Sequence, residues 1–157
     1  MPDFVNRRKS VGLERCPPSL SERAPRHKDP DSPMTPLAYA IGDSVMEGAG
    51  PGLYSTLPNA WPGIEVDAVP SRQFIHAAPV LRQRFSTGPL PEIVVVHLGT
   101  NGLFDDGGFD DLVDTCSAIK RLVFLTIKAP RDWEGPVNRR LAKGVQRHPV
   151  RATLLDW

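Results

Sequence analysis

The chain has 157 residues, long enough for one domain with a single core. Its 19 basic and 18 acidic residues nearly cancel, which gives no global attraction to nucleic acid or an anionic membrane surface. No apolar run reaches the roughly 20 residues that cross a bilayer, and the basic N-terminus, MPDFVNRRKSVGLERC, has no apolar stretch of the secretory type behind it. As written, the sequence is therefore expected to stay in the cytoplasm. Two cysteines, Cys16 and Cys116, make neither a disulfide framework nor a metal site and are read as free thiols.

Residues 1–36 differ from the rest. They hold seven of the 17 prolines among Arg, Lys, Ser, Glu and Asp, with no sustained helical or strand period. Such a composition buries too little apolar surface to offset ordering, and a disordered Pro/Arg-rich leader is expected.

From Leu37 the pattern becomes regular. Leu37 to Ile41 predicts a buried strand, broken at Gly42-Asp43. Ser44 then opens a helix toward Leu57, which Gly50-Pro51-Gly52 is expected to break or shorten. Ile64 to Val69 predicts a second strand. Ser71 to Phe85 predicts a helix with Phe74, Ile75, Ala78, Leu81 and Phe85 at helical spacing and a kink at Pro79. Ile93 to Leu98, IVVVHL, is the most apolar run and is rich in β-branched residues, as in a parallel strand covered on both faces. Phe109 to Lys120 predicts a helix carrying Cys116, Arg121 to Thr126 a fourth strand, Trp133 to Arg147 a helix capped by Asp132, and Val150 to Leu155 a fifth strand.

Five strands alternating with helices predict a three-layer α/β/α domain. The expected arrangement is a flavodoxin-like parallel sheet in the order 2-1-3-4-5. Loops after the first and third strands then face one crevice, where doubly wound sheets bind ligands. Those loops are Gly42-Asp43-Ser44 and Gly99-Thr100-Asn101-Gly102. A serine at a helix N-terminus combines a hydroxyl nucleophile with backbone N–H groups that favour developing negative charge. Ser44 or Asp43 as a plain helix cap, and Asn101 as a turn residue before Gly102, are the simpler alternatives.

The two stretches IGDSVMEGA and VVVHLGTNG resemble the SGNH hydrolases, also called GDSL-like esterases. Within that family the chain is most similar to the corresponding domain of bacterial O-acyltransferases that acetylate cell-wall or surface sugars. The resemblance covers about residues 37–157. It implies a serine esterase or O-acetyltransferase that acts on acetyl esters of carbohydrate through an acyl-enzyme and needs no cofactor or metal. Ser44 would be the nucleophile and its N–H an oxyanion donor, with the Asn101 amide as a second donor. Asp43, Ser71, Arg72, Thr100 and Gly102 would line the substrate side. The family's second motif usually supplies a glycine N–H, whereas Val69-Pro70-Ser71-Arg72-Gln73 stands here, so Ser71 or Arg72 would donate instead.

The family's base is a histidine with an aspartate three residues before it, in a loop beyond the last strand. The 157 residues end at Leu154-Leu155-Asp156-Trp157 without that pattern, so the Asp/His part of the triad is expected to be missing from this chain. The four histidines are His27, His76, His97 and His148. His97 is expected as a hydrogen-bonded core residue, His76 on a surface or groove, and His148 at the far end of the fifth strand from the site. Two other readings compete: an inactive SGNH-like domain that binds an acylated glycan or a protein, and a generic flavodoxin-like binding domain. As a fragment of a larger membrane acyltransferase, the domain would be extracytoplasmic.

Overall fold

A computed structural model describes residues 38–56 and 63–157. The expected leader, Cys16, His27 and Leu37 lie outside the described residues. Five parallel strands run β1 (Ala38–Gly42), β2 (Ile64–Ala68), β3 (Ile93–His97), β4 (Arg121–Leu125) and β5 (Ala152–Leu155). Their order is β2-β1-β3-β4-β5, the expected arrangement and one that right-handed crossovers allow. Among the described residues four α-helices accompany the sheet: α1 (Ser44–Thr56), α2 (Ala77–Thr87), α3 (Asp106–Thr115) and α4 (Glu134–Arg147).

Strand residues alternate between the faces, and the two faces are filled differently. Tyr39, Ile41, Val94, Val96, Leu122, Phe124 and Ala152 join the buried residues of α2, α3 and α4 in one core. Aromatic rings form its centre: Phe74 stacks on Phe104 with centroids 3.7 Å apart, and Phe109 on Phe124 at 4.6 Å. The opposite face of β1 carries Ala38, Ala40 and Gly42, which are small and let α1 approach. A Cβ on Gly42 would lie 2.1 Å from the Met46 Cβ, so this contact requires glycine.

Several boundaries differ from those the sequence suggests. Helix α1 runs unbroken through Pro51. The proline has no N–H to give the Glu47 carbonyl, but Glu47 is exposed and its carbonyl can bond water. The helix expected from Ser71 begins later, as a 3₁₀ turn (Phe74–His76) that leads into α2. Pro79 is the third residue of α2, where its missing N–H has no intrahelical role, so the expected kink has no cause there. Helix α3 starts three residues early because the Asp105 carboxylate caps it, accepting from Gly108 N–H at 2.7 Å. It ends at Thr115, and Cys116 follows as a buried free thiol at the C-cap. Asp132 does not cap α4. The residue before that helix is Trp133, whose side chain makes no capping bond, and Glu134 instead reaches back to accept from Ala129 N–H at 2.7 Å.

Candidate active site

The register of β1 on β3 pairs Gly42 with His97, so the loops that follow leave the sheet side by side. Asp43 is fully buried between them and is the hub of the site. Its Oδ1 accepts from the Val45 N–H at 3.0 Å, which makes Asp43 the cap of α1. Its Oδ2 accepts from the Thr100 hydroxyl and from the Asn101 amide, the latter at 3.2 Å. Capping and loop-bridging are thus done by one carboxylate, and three donors offset the cost of burying its charge.

Ser44 is the first residue of α1 and is exposed. Its N–H, at the first helical position, has no intrahelical acceptor. Among the described residues no histidine is hydrogen-bonded to its hydroxyl. The Asn101 amide also donates to the Arg72 carbonyl at 3.3 Å, so it lies between the loops after β1, β2 and β3. Thr100 is fixed from its other side, where the Trp133 indole N–H donates to its carbonyl at 3.3 Å. Two glycines shape this loop. Gly99 has φ +127°, and a Cβ there would meet Val137 at 2.6 Å; Gly102 has φ +135°. Both conformations are ones that residues with a Cβ rarely adopt.

The loop after β2 is a tight turn over Val69-Pro70-Ser71-Arg72, closed by the Arg72 N–H donating to the Val69 carbonyl at 3.2 Å. Pro70 and Ser71 occupy its centre. Ser71 has φ 63°, a left-handed conformation, in the turn position that usually takes glycine. The Arg72 N–H is therefore committed inside the turn. The Arg72 guanidinium is also turned inward: its side chain is 9% exposed and paired with Asp67 at 2.7 Å. Pro-Ser in a type II turn was the sequence signal for this loop, and it outweighs the helical spacing that begins at Phe74.

The histidines fall in three settings. His76 is exposed in the 3₁₀ turn. His148 closes α4 and bonds Asp110 through Nε2 at 3.1 Å. His97 is buried, but the expected hydrogen bonds are missing: among the described residues neither ring nitrogen has a partner. Its ring meets Trp157 at 5.1 Å between centroids. Burial pushes its pKa below the ordinary histidine value, opposed by the nearby Asp43 charge.

A five-stranded sheet in this order, with a G-D-S turn at the start of α1, is the fold of solved SGNH hydrolase-like domains. Among solved structures it is similar to the C-terminal catalytic domain of peptidoglycan O-acetyltransferase A from Streptococcus pneumoniae, at TM-score 0.59 and 21% identity over 80% of this chain and 71% of that one. It is also similar to an acetyl esterase (TM-score 0.52, 18% identity, 78% and 79% covered). A lipolytic G-D-S-L family member from Veillonella parvula gives TM-score 0.54 at 13% identity, with 73% and 75% covered. In sequence it is 30% identical over 118 residues to the O-acetyltransferase OatA of Staphylococcus aureus strain NCTC 8325. That match takes in 74% of this chain and 19% of OatA, so the chain spans about a fifth of this relative's length. No protein-family model matches the chain. Among the described residues no helix is long and apolar enough to cross a membrane.

Proposed function

We propose that this domain is a serine esterase or O-acetyltransferase that handles acetyl esters of carbohydrate through an acyl-enzyme on Ser44. The observation that carries the reading is the exposed Ser44 at the N-terminus of α1, beside a buried Asp43 that holds the Asn101 amide at the same sheet edge. The similarity to O-acetyltransferases and to an acetyl esterase supports the acyl group and the ester bond.

In this reading Ser44 Oγ adds to the ester carbonyl, and the negative charge develops on the carbonyl oxygen. The Ser44 N–H stabilises that oxygen, and the Asn101 amide does so by turning one of its two N–H groups from Asp43 or the Arg72 carbonyl to the substrate. Of the two candidates in the second loop, Ser71 is favoured as the third donor, because the Arg72 N–H is already bonded to Val69. The Ser44 proton passes to solvent water and a proton returns to the leaving oxygen as collapse expels the alcohol; water or a sugar hydroxyl then takes the acetyl group and gives its own proton back to Ser44. Proton transfer from Ser44 is the weak step. A serine hydroxyl is almost wholly protonated at neutral pH, and the buried His97 has no bond to it.

The test is hydrolysis of p-nitrophenyl acetate by the 157-residue chain, by Ser44→Ala, and by a chain extended with an Asp-x-x-His segment. Weak hydrolysis that Ser44→Ala abolishes is expected. The added segment should raise it by the ~10²–10⁴ that general-base help supplies. Hydrolysis unchanged in Ser44→Ala would overturn the esterase reading in favour of an inactive domain that binds an acylated glycan. Strong turnover by the unextended chain, lost in His97→Ala or His76→Ala, would place the base inside these residues.

A further inference from the structure

We propose that Arg72 is a positioning residue that fastens the oxyanion loops to one another, and that Tyr39 and Asp67 hold it in that role. This rests on the esterase reading for its catalytic consequence, though not for its geometry. The Arg72 guanidinium donates to the Gly42 carbonyl at 3.3 Å, to the Asp67 carbonyl at 2.6 Å and to Asp67 Oδ1 at 2.7 Å. Asp67 Oδ2 is taken by the Tyr39 hydroxyl at 2.5 Å. Tyr39 is buried in β1, and the Arg84 guanidinium lies over its ring at 5.6 Å. The Arg72 main chain completes the arrangement, since its carbonyl accepts from the Asn101 amide and its N–H closes the turn that carries Ser71.

One residue therefore touches all three loops. Its side chain holds the end of β1, one residue before Asp43 and two before Ser44. Its anchor, Asp67, is in β2. Its carbonyl orients Asn101 beyond β3. A planar guanidinium suits this role because it donates in several fixed directions at once, which a lysine ammonium does not. With every named bond internal and the side chain 9% exposed, Arg72 is built to hold the protein rather than a substrate. Misplacing donors by about 1 Å can cost ~10² in rate, so the consequence for catalysis is large although no atom of Arg72 need touch the ester.

The experiment uses the 157-residue chain and its Arg72→Ala, Arg72→Lys and Asp67→Asn variants, with two readouts. The first is the Asn101 side-chain amide followed by NMR, which needs no activity. It should be shifted and slow to exchange in the parent, and should move to the position of a solvent-averaged amide in Arg72→Ala and Arg72→Lys. Asp67→Asn should lie between. The second is Ser44-dependent hydrolysis of p-nitrophenyl acetate. Arg72→Ala should lower kcat by about 10²-fold with KM nearly unchanged, and added guanidinium ion should restore part of it. If Arg72→Ala does not fold, Arg72→Lys takes its place in both readouts. A folded Arg72 variant with an unchanged Asn101 amide would overturn the proposal. So would a drop in kcat that appears without any change in that amide. Hydrolysis that is indifferent to Ser44→Ala would sink the esterase reading instead, and the amide readout would still decide whether Arg72 holds the loops.

Discussion

The carboxyl edge of the sheet has two halves, and they are built differently. On the β2-β1-β3 side, Asp43, Thr100, Asn101, Arg72, Asp67 and Tyr39 form a buried or half-buried lattice in which each polar group has a partner. Past β4, Asn138 bonds both main-chain groups of Ile127 and Glu134 accepts from the Ala129 N–H, whereas at the end of β5 the polar contacts are exposed. Thr126 donates to Asp156 at 2.7 Å and accepts from the Trp157 N–H at 2.8 Å, while His97, whose ring meets that of Trp157, has no hydrogen-bond partner among the described residues. A fixed set of donors serves a charge that appears at one place, whereas a group that must move a proton needs a partner in reach. In the proposed mechanism the first requirement falls to Ser44, Ser71 and Asn101. The second is not met by any histidine bonded to Ser44 among the described ones.

The largest test of this contrast is Asp43→Ala. It leaves the half-buried Val45 N–H and Thr100 hydroxyl without this acceptor and the Asn101 amide with the Arg72 carbonyl alone of its two loop anchors. A loss of about 3 kcal/mol in urea unfolding is expected, together with loss of any Ser44-dependent hydrolysis. A near-neutral result would mean that the lattice contributes little to holding the two loops.

On the other half the sign reverses. Replacing an unpartnered buried imidazole by an apolar group of similar size removes a desolvation cost, so His97→Leu should stabilise the domain by about 1 kcal/mol near pH 7. The pH dependence sharpens the point. His97 in the folded state titrates below its ordinary value of 6.5, so under acid the unfolded chain binds the proton first. Stability is complete above about pH 6.5 and falls as the pH drops toward the folded-state value. His97→Leu should remove that part of the acid loss in melts taken between pH 7 and 5. An unchanged slope would show that His97 is not the group responsible.

The smallest effect is expected at Thr126→Ala, where the bonds to Asp156 and Trp157 are exposed. A change of about 0.5 kcal/mol in the same unfolding measurement suits a bond that competes with water. A loss as large as that for Asp43→Ala would erase the contrast between the halves.

Much of this architecture was legible in the residues. The apolar run at Ile93–Leu98, and its alternation with helices, led to the parallel sheet and to the order found. From that order alone the G-D-S and G-T-N-G stretches could be set at one edge. The details that escaped depend on partners far apart in the chain or on capping geometry. Tyr39 and Asp67 are 28 residues apart, and no local pattern reveals that they clamp Arg72. Asp132 has the composition of a cap, yet the backbone of α4 starts past it. His97 matches a core position in pattern, but whether a core histidine finds partners depends on what the fold brings near its ring.

The register that puts Gly42 beside His97 also governs where the chain can change length. Side chains alternate along a strand, so adding or removing one residue in β1 or β3 turns every later side chain of that strand to the opposite face. Asp43 would leave the hydroxyl of Thr100, and Tyr39 would leave Asp67. Beyond Asn101 the situation relaxes: Leu103 is 63% exposed, and Asp105 starts a helix with its own cap. Homologous chains should therefore vary in length around Leu103 while keeping the strand lengths and the Phe104 stack on Phe74 fixed, and a designer who grafts new loops onto this domain has the same point at hand.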